Sequence, residues 1–279
     1  MIAAVVSVLG LMWPVDAFAA TSPVLVGSAG YSVLGGAAVT CTGSTTTTGA
    51  VGVSPGTSIS GFPTPCSAGG GTHSNDASAI AAQADSLTAF GTLDQTCDHT
   101  YGAQDLTLLS PLGPGVYCST SSFSLSGNLT LTGSGVWIFK TVSTLITSPG
   151  SSVTGGDPCN VWWRIGSSAT LNTTTSFIGT IIAQNGVTAL ETGATLDGRV
   201  LALSAGTVTL DANTITGPTC ATTTGSSGSS SSTTAAGAPN TGFGVHSTSP
   251  WRDFTGYGLG AIGLFALAFA SRRIAKKQQ

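Results

Sequence analysis

The stretch CNVWWRIGSSATLNTTTSFIGTIIAQNGVTALETGATLDGRVLA, Cys159 to Ala202, carries a repeat that decides the fold. Leu171, Leu190 and Leu210 stand 19 and 20 residues apart, and Thr175, Thr195 and Thr214 stand 20 and 19 apart. Gly179 and Gly198 are 19 apart, as are Ala183 and Ala202. Upstream, VWIFKTVSTLIT from Val136 resembles VWWRIGSSATLN from Val161, 25 residues on. Short β-branched runs between Gly turns, repeating every 20–25 or so residues, are the signature of a solenoid. Each coil then holds about three short strands, and its inner face is buried only by its neighbours. The fold expected is mainly β, a three-faced β-helix. A β-sandwich with regular hairpins is the alternative, but hairpins do not require columns of Leu and Ala in register.

Outward from the repeat, NDASAIAAQADSLTAF (Asn75 to Phe90) breaks the β pattern. Ala77, Ile80, Ala81, Ala84 and Leu87 lie at helical spacing along one stripe, and Asn75 or Asp76 can cap the helix. An Ala-rich stripe lets such a helix lie close along a flat sheet.

The two ends are of another kind. Residues 1–19, within MIAAVVSVLGLMWPVDAFAA, read as a secretory signal with a small-residue cleavage pattern at Ala17-Phe18-Ala19. TTTGSSGSSSSTTAAGA, residues 222–238, reads as a linker. Residues 239–279 hold Pro239-Asn240-Thr241-Gly242, an uncharged apolar run from Phe254 to Ala270, and the basic residues Arg272, Arg273, Lys276 and Lys277. That run spans about 25 Å as a helix, adequate for a membrane with snorkelling ends, and the basic tail should stay cytoplasmic. The order of motif, span and tail resembles a Gram-positive sortase signal of the LPxTG type, with Ala238 in place of Leu. The resemblance implies cleavage between Thr241 and Gly242 by a sortase and attachment of Thr241 to the wall.

The body between, residues 20–221, is poor in charge. Only 7% of the 279 residues are charged, against about 25% in ordinary soluble domains, while mean hydropathy is +0.34. Of the 8 Lys and Arg, four lie in the basic tail, so no basic patch remains to neutralise phosphates and nucleic acid is excluded as a partner. Asp94, Asp98 and Asp105 are scattered, His73 and His99 are lone, and no cluster suggests a metal, a cofactor or a catalytic set. Lys140 and Arg164 occupy matching places in two coils, as a small basic ladder or as solvated charges. The six cysteines, an even number in an exported chain, imply disulfides. Of the fifteen possible pairings, the sequential set is expected: Cys41–Cys66, Cys97–Cys118 and Cys159–Cys220. The last would stop the final coil fraying where the linker starts.

These residues together resemble the bacterial and fungal ice-binding family that pairs a β-solenoid with one long flanking helix. The stretches that carry the resemblance are VGSAGYSVLGGAAVTCTG, GVSPGTSISGFP, the helix, LGPGVYC, GVWIFKTVSTLIT and the run from Cys159 to Ala202, in the family's order from Val24 to Thr216. The resemblance implies no catalytic site and a flat face that meets ice. Thr, with a hydroxyl and a methyl on a stiff side chain, suits such a face. Three rungs are candidates: Asn172-Thr173-Thr174-Thr175, Thr192-Gly193-Ala194-Thr195 and Asp211-Ala212-Asn213-Thr214. The middle one resembles the T-A/G-x-T/N motif of some family members. The expected ligand residues are Thr173, Thr175, Thr192, Thr195 and Thr214. Glu191, Asp211 and Arg199 fall in the same coils and would disturb a flat face. The functional expectation is a surface-anchored ice-binding-like protein. The alternative is a surface adhesin or structural protein that binds a glycan or another cell on the same scaffold.

Overall fold

A computed structural model describes residues 19–220 except 204 and 218. Nearly all of the signal, the linker, the PNTG motif, the apolar run and the basic tail lie outside the described residues. Among the described residues no helix is long and apolar enough to cross a membrane.

The chain opens with β1 (Tyr31–Gly35), β2 (Ala38–Thr42), β3 (Thr46–Thr47), β4 (Ala50–Val53), β5 (Ser58–Ser60), β6 (Ser67–Ala68) and β7 (Thr72–Ser74). The helix α1 (Ala77–Thr92) follows. Then come β8 (His99–Tyr101), β9 (Gln104–Asp105), β10 (Gly115–Ser119), β11 (Phe123–Leu125), β12 (Asn128–Leu131), β13 (Trp137–Thr141), β14 (Leu145–Thr147) and β15 (Ser152–Gly155). The last are β16 (Val161–Ile165), β17 (Ala169–Leu171), β18 (Ser176–Ala183), β19 (Val187–Leu190), β20 (Thr195–Ala202), β21 (Thr207–Asp211) and β22 (Thr214–Thr216).

The strands form three ranks, and among the described residues every named pairing is parallel, so the sandwich with hairpins does not occur. The first rank, covered by α1, runs β8-β10-β13-β16-β18-β20-β1-β4-β7. The broad rank runs β9-β11-β14-β17-β19-β21-β2-β5. The narrow rank runs β12-β15-β18-β20-β22-β3-β6. Strands β18 and β20 belong to two ranks because each bends midway, at Gly179 and Gly198, which stack on one another. Gly179 has φ +97°, and a Cβ on Gly198 would lie 1.9 Å from the Gly179 carbonyl oxygen. That corner explains the 19-residue glycine spacing.

The stacking order is not the chain order. β1, β2 and β3 lie directly on β20, β21 and β22, so the first coil seals against the last. Helix α1 makes this possible, carrying the chain from one end of the stack towards the other. Its landmarks run in sequence along the first rank. Gln83 donates to the carbonyls of Gly35 and Ala202, Arg164 Nε donates to Phe90 O, and Lys140 Nζ sits 2.9 Å from Asp94. The Cys97–Cys118 disulfide then fastens the chain to β10.

The sequence expectation for the helix holds in extent but not in orientation. Asp76 caps it, accepting from Ala79 N at 2.9 Å. The buried stripe, however, is Ala79, Ala82, Ser86, Ala89 and Phe90. Ala77, Ile80, Ala81, Ala84 and Leu87 all face outward, with Ile80 and Leu87 51% and 57% exposed. Small side chains decide the buried face, because Ala lets the helix approach the strands; Ser86 joins them by donating to Ala82 O.

Inside the stack, columns of identical chemistry replace a layered core. Leu171, Leu190 and Leu210 are in register, as are Ala183 and Ala202. Tyr117, Phe139 and Trp163 stack ring on ring, with centroids 5.4 and 4.2 Å apart, and Phe177 continues the pile. The Val136 and Val161 stretches stack 24 residues apart, Trp137 on Val161 and Lys140 on Arg164, not 25. Lys140 and Arg164 are not a solvated ladder: both reach the Asp94 carboxylate, and Arg164 lies 4.0 Å over the Phe90 ring. The other two disulfides join Cys41 to Cys66 and Cys159 to Cys220.

Candidate ligand face

Of the three ranks, one is covered by α1, and the narrow one is built from strand pieces of two to four residues. The broad rank is the open surface. Its strands alternate: Phe123, Leu145, Ala169, Thr188, Val208 and Val39 are buried, and their neighbours on either side point out. Period-2 alternation on a half-buried sheet dictates this.

Registers align the outward side chains into two parallel columns. One reads Ser60, Thr40, Thr209, Ala189, Thr170, Ile146 and Ser124. The other, two residues earlier on each strand, reads Ser58, Ala38, Thr207, Val187, Ser168, Thr144 and Ser122. Neither column holds a charge until Asp105 on β9 at one end. Val187 and Ile146 are 45% and 47% exposed, side chains that an ordinary sheet surface would replace with polar ones. Strands about 4.8 Å apart make the face about 34 Å long, and the columns stand about 7 Å apart. Thr144 Oγ1 donates to Ser122 Oγ at 3.0 Å, linking two rungs. Among the described residues the hydroxyls of Thr170, Thr207 and Thr209 make no protein hydrogen bond, so they point hydrogen-bonding capacity outward.

The threonines singled out from the sequence fall elsewhere. Thr173 and Thr192 are exposed at the corner turns between the broad and narrow ranks, and the Thr192 hydroxyl donates to the Asp211 carboxylate. Thr195 and Thr214 are exposed and in register on the narrow rank. Thr175 is not in their column. It is fully buried, its hydroxyl 2.8 Å from that of Thr147, and Ser176 takes the expected place beside Thr195. The tight turn at Thr174, with φ +58°, shifts the strand start by one residue and turns Thr175 inward. The narrow-rank column thus reads Ser152, Ser176, Thr195, Thr214, Thr46 and Ser67. Beside it stand Ile178 and Asp197. Burial and the nearby charge of Asp157 push the Asp197 carboxyl above the usual range. A charge and short strands make this rank the poorer plane. No signal singled out the broad columns in the sequence, because their Ser, Ala, Val and Ile members share no residue type.

The acidic side chains serve the scaffold. Asp85 accepts from Val26 N, Ser28 N and Ser28 Oγ, tying the chain's start to α1. Asp98 accepts from Val116 N. Asp105 accepts from Thr107 N and Ser126, which hold its carboxyl low against the opposing effect of burial. Among the described residues no three metal-ligating side chains converge. Arg199, nearly buried, donates twice to Ala29 O and so lies well away from the broad columns.

The chain matches the family model described as Ice-binding-like over residues 33–216. It is 41% identical to an ice-binding protein of Nostoc sp. (strain HG1) over 211 residues, 72% of this chain and 76% of that one. It is 35% identical over 124 residues to an ice-binding protein of Flavobacterium frigoris (strain PS1), covering 43% and 42% of the two chains. Among solved structures, an ice binding protein from an Antarctic biological consortium superposes with TM-score 0.66 at 38% identity, over 73% of this chain and 95% of that one. That of the Antarctic ascomycete Antarctomyces psychrotrophicus gives TM-score 0.65 at 34% identity, over 72% of this chain and all of that one. The parallel ranks, the single flanking helix and the open uncharged face are therefore those of a family member: the chain belongs to the ice-binding-like family.

Proposed function

We propose that the body is a three-faced β-solenoid that binds ice through the broad face, without catalysis, and that the protein is exported and held at the outer cell surface. The observation that carries the ice reading is the pair of uncharged columns in register across the stack. Ice is a periodic, uncharged lattice of donors and acceptors. A rigid plane with methyls and hydroxyls at fixed spacing meets it without reorganising, which lowers the entropy cost of contact. Charged side chains would hold their own hydration instead. A glycan-binding adhesin would be expected to offer aromatic platforms, and the two columns contain none.

Thermal hysteresis and ice shaping by the purified protein test this. Thr209→Lys, in the middle of the broad face, should abolish both while changing stability by no more than about 0.5 kcal/mol. Thr195→Lys, on the narrow rank, should leave most of the activity. The reverse pattern moves the site to the Thr195–Thr214 column; a wild-type protein without hysteresis ends the ice reading. Surface attachment rests on the PNTG motif, apolar run and basic tail. Deleting the segment after Thr241 should release the protein from the source cell's wall fraction into the medium.

A further inference from the structure

Both ends of the described body are fastened at one place, the turn Pro158–Asn160 between β15 and β16. Asp157 shapes the turn, accepting from Cys159 N and Asn160 Nδ2, both at 3.0 Å. At the start of the body, Ser22 Oγ donates to Asn160 Oδ1 and accepts from Trp162 Nε1, both at 3.0 Å. At its end, Cys220 is bonded to Cys159, across 61 residues. Cys220 follows β22 by only four residues. The chain is thus fastened not to its last coil but to a coil that lies, along the narrow rank, beyond β20 and β18.

We propose that the Cys159–Cys220 bridge is a mechanical mooring: it delivers tension from the chain beyond Cys220 into the middle of the stack and keeps it off the seam. The inference rests on the tethered reading above. Strand β22 is one wall of the seam where the first coil lies on the last. It holds Thr195 to Asp197 on one side and only Thr46 and Thr47 on the other. Tension applied at Thr216 would peel this three-residue strand rung by rung from its end. Its loss would uncover β20 and β3 and start to open the seam. With the bridge closed, residues 159–220 form a covalent loop that tension cannot lengthen. The pull is shared by the chain on both sides of Cys159, in β15 and β16. Each lies inside the stack, β15 between β12 and β18, β16 between β13 and β18. Both must shear together before the body yields. Resistance to force is a matter of this barrier, not of the folded state's equilibrium stability.

Single-molecule force spectroscopy on the full chain tests the mooring in two geometries. In the first, handles sit at the C-terminus and at position 189 on the broad face; in the second, at positions 142 and 189, away from Cys220. Cys159→Ser/Cys220→Ser should speed unfolding at constant force about tenfold or more in the first geometry and less than about threefold in the second. Equal acceleration in both would make the bridge a general stabiliser, and no acceleration in the first would remove its mechanical role; either result overturns the proposal. Should the double variant not fold, mild thiol added to clamped wild-type molecules serves. Cys220 is exposed, while Cys66, Cys41 and Cys118 are 0%, 5% and 5% exposed, so the mooring is reduced first. Thermal hysteresis, measured separately, decides the ice reading and does not enter this comparison.

Discussion

Asp197 is the residue at which the scaffold and a flat surface conflict. It stands among Ile178 and Thr216 on the narrow rank, with its carboxyl pushed above the usual range by burial and by Asp157. A carboxyl raised in the folded state holds its proton more tightly there than in the unfolded chain. Its contribution is therefore fully present below the unfolded value and lost as pH rises through the folded one. Asp197→Asn should accordingly raise the melting temperature at pH 7, by the equivalent of about 0.5 kcal/mol for so exposed a group, and have no effect below pH 3 or so. Equal gains at both pH values would assign the effect to something other than ionisation. At this scale the sequence was only partly legible. Thr195 and Thr214 are where the repeat puts them, but Thr175 is turned inward by a positive-φ residue whose conformation no side-chain pattern announces. The broad columns went unseen because a plane is defined by position and not by residue type.

Among the elements, the corners are stricter than the strands. Gly198 lies so close to the Gly179 carbonyl that a methyl cannot enter without moving β18, which is paired on both sides. Gly198→Ala should cost about 3 kcal/mol by overpacking, read as a fall in urea midpoint with unchanged slope. Gly91, on the outer side of α1, would leave an added methyl with nothing within 4 Å, and Gly91→Ala should be neutral or mildly stabilising. The coil period, the Leu and Ala columns and the existence of α1 were legible, since each follows from spacing. The buried face of α1 was not. Its larger apolar residues, Ile80 and Leu87, suggest one stripe, whereas the fit of a helix onto strands favours the opposite one, lined with Ala. The partner of Lys140 and Arg164 was invisible for a related reason: Asp94 is 46 residues from Lys140, and only the return of the chain along α1 brings them together.

For the molecule as a whole, the seam has a consequence in time. A polypeptide leaving an export channel presents β1 to β7 first, but β1, β2 and β3 find β20, β21 and β22 only after more than a hundred further residues have emerged. Until then the early coils carry an unpaired parallel edge, the kind of surface that templates aggregation. Contacts this distant in sequence also make for slow folding. Pro63 and Pro65, in the loop between β5 and β6, cannot donate to a strand, so the outward end of the early coils is blunted while the inward end waits. A chain ending after Asp197 should therefore lose protease resistance in residues 31–74 as well as in its remaining coils, although residues 31–74 are intact in sequence. Retained resistance there would show that the early coils fold alone. The ordering implies that secretion of this protein is a race between completion of its last coil and capture of its first, in which a helper that shields a bare strand edge for a few seconds would raise the yield more than any mutation in the core.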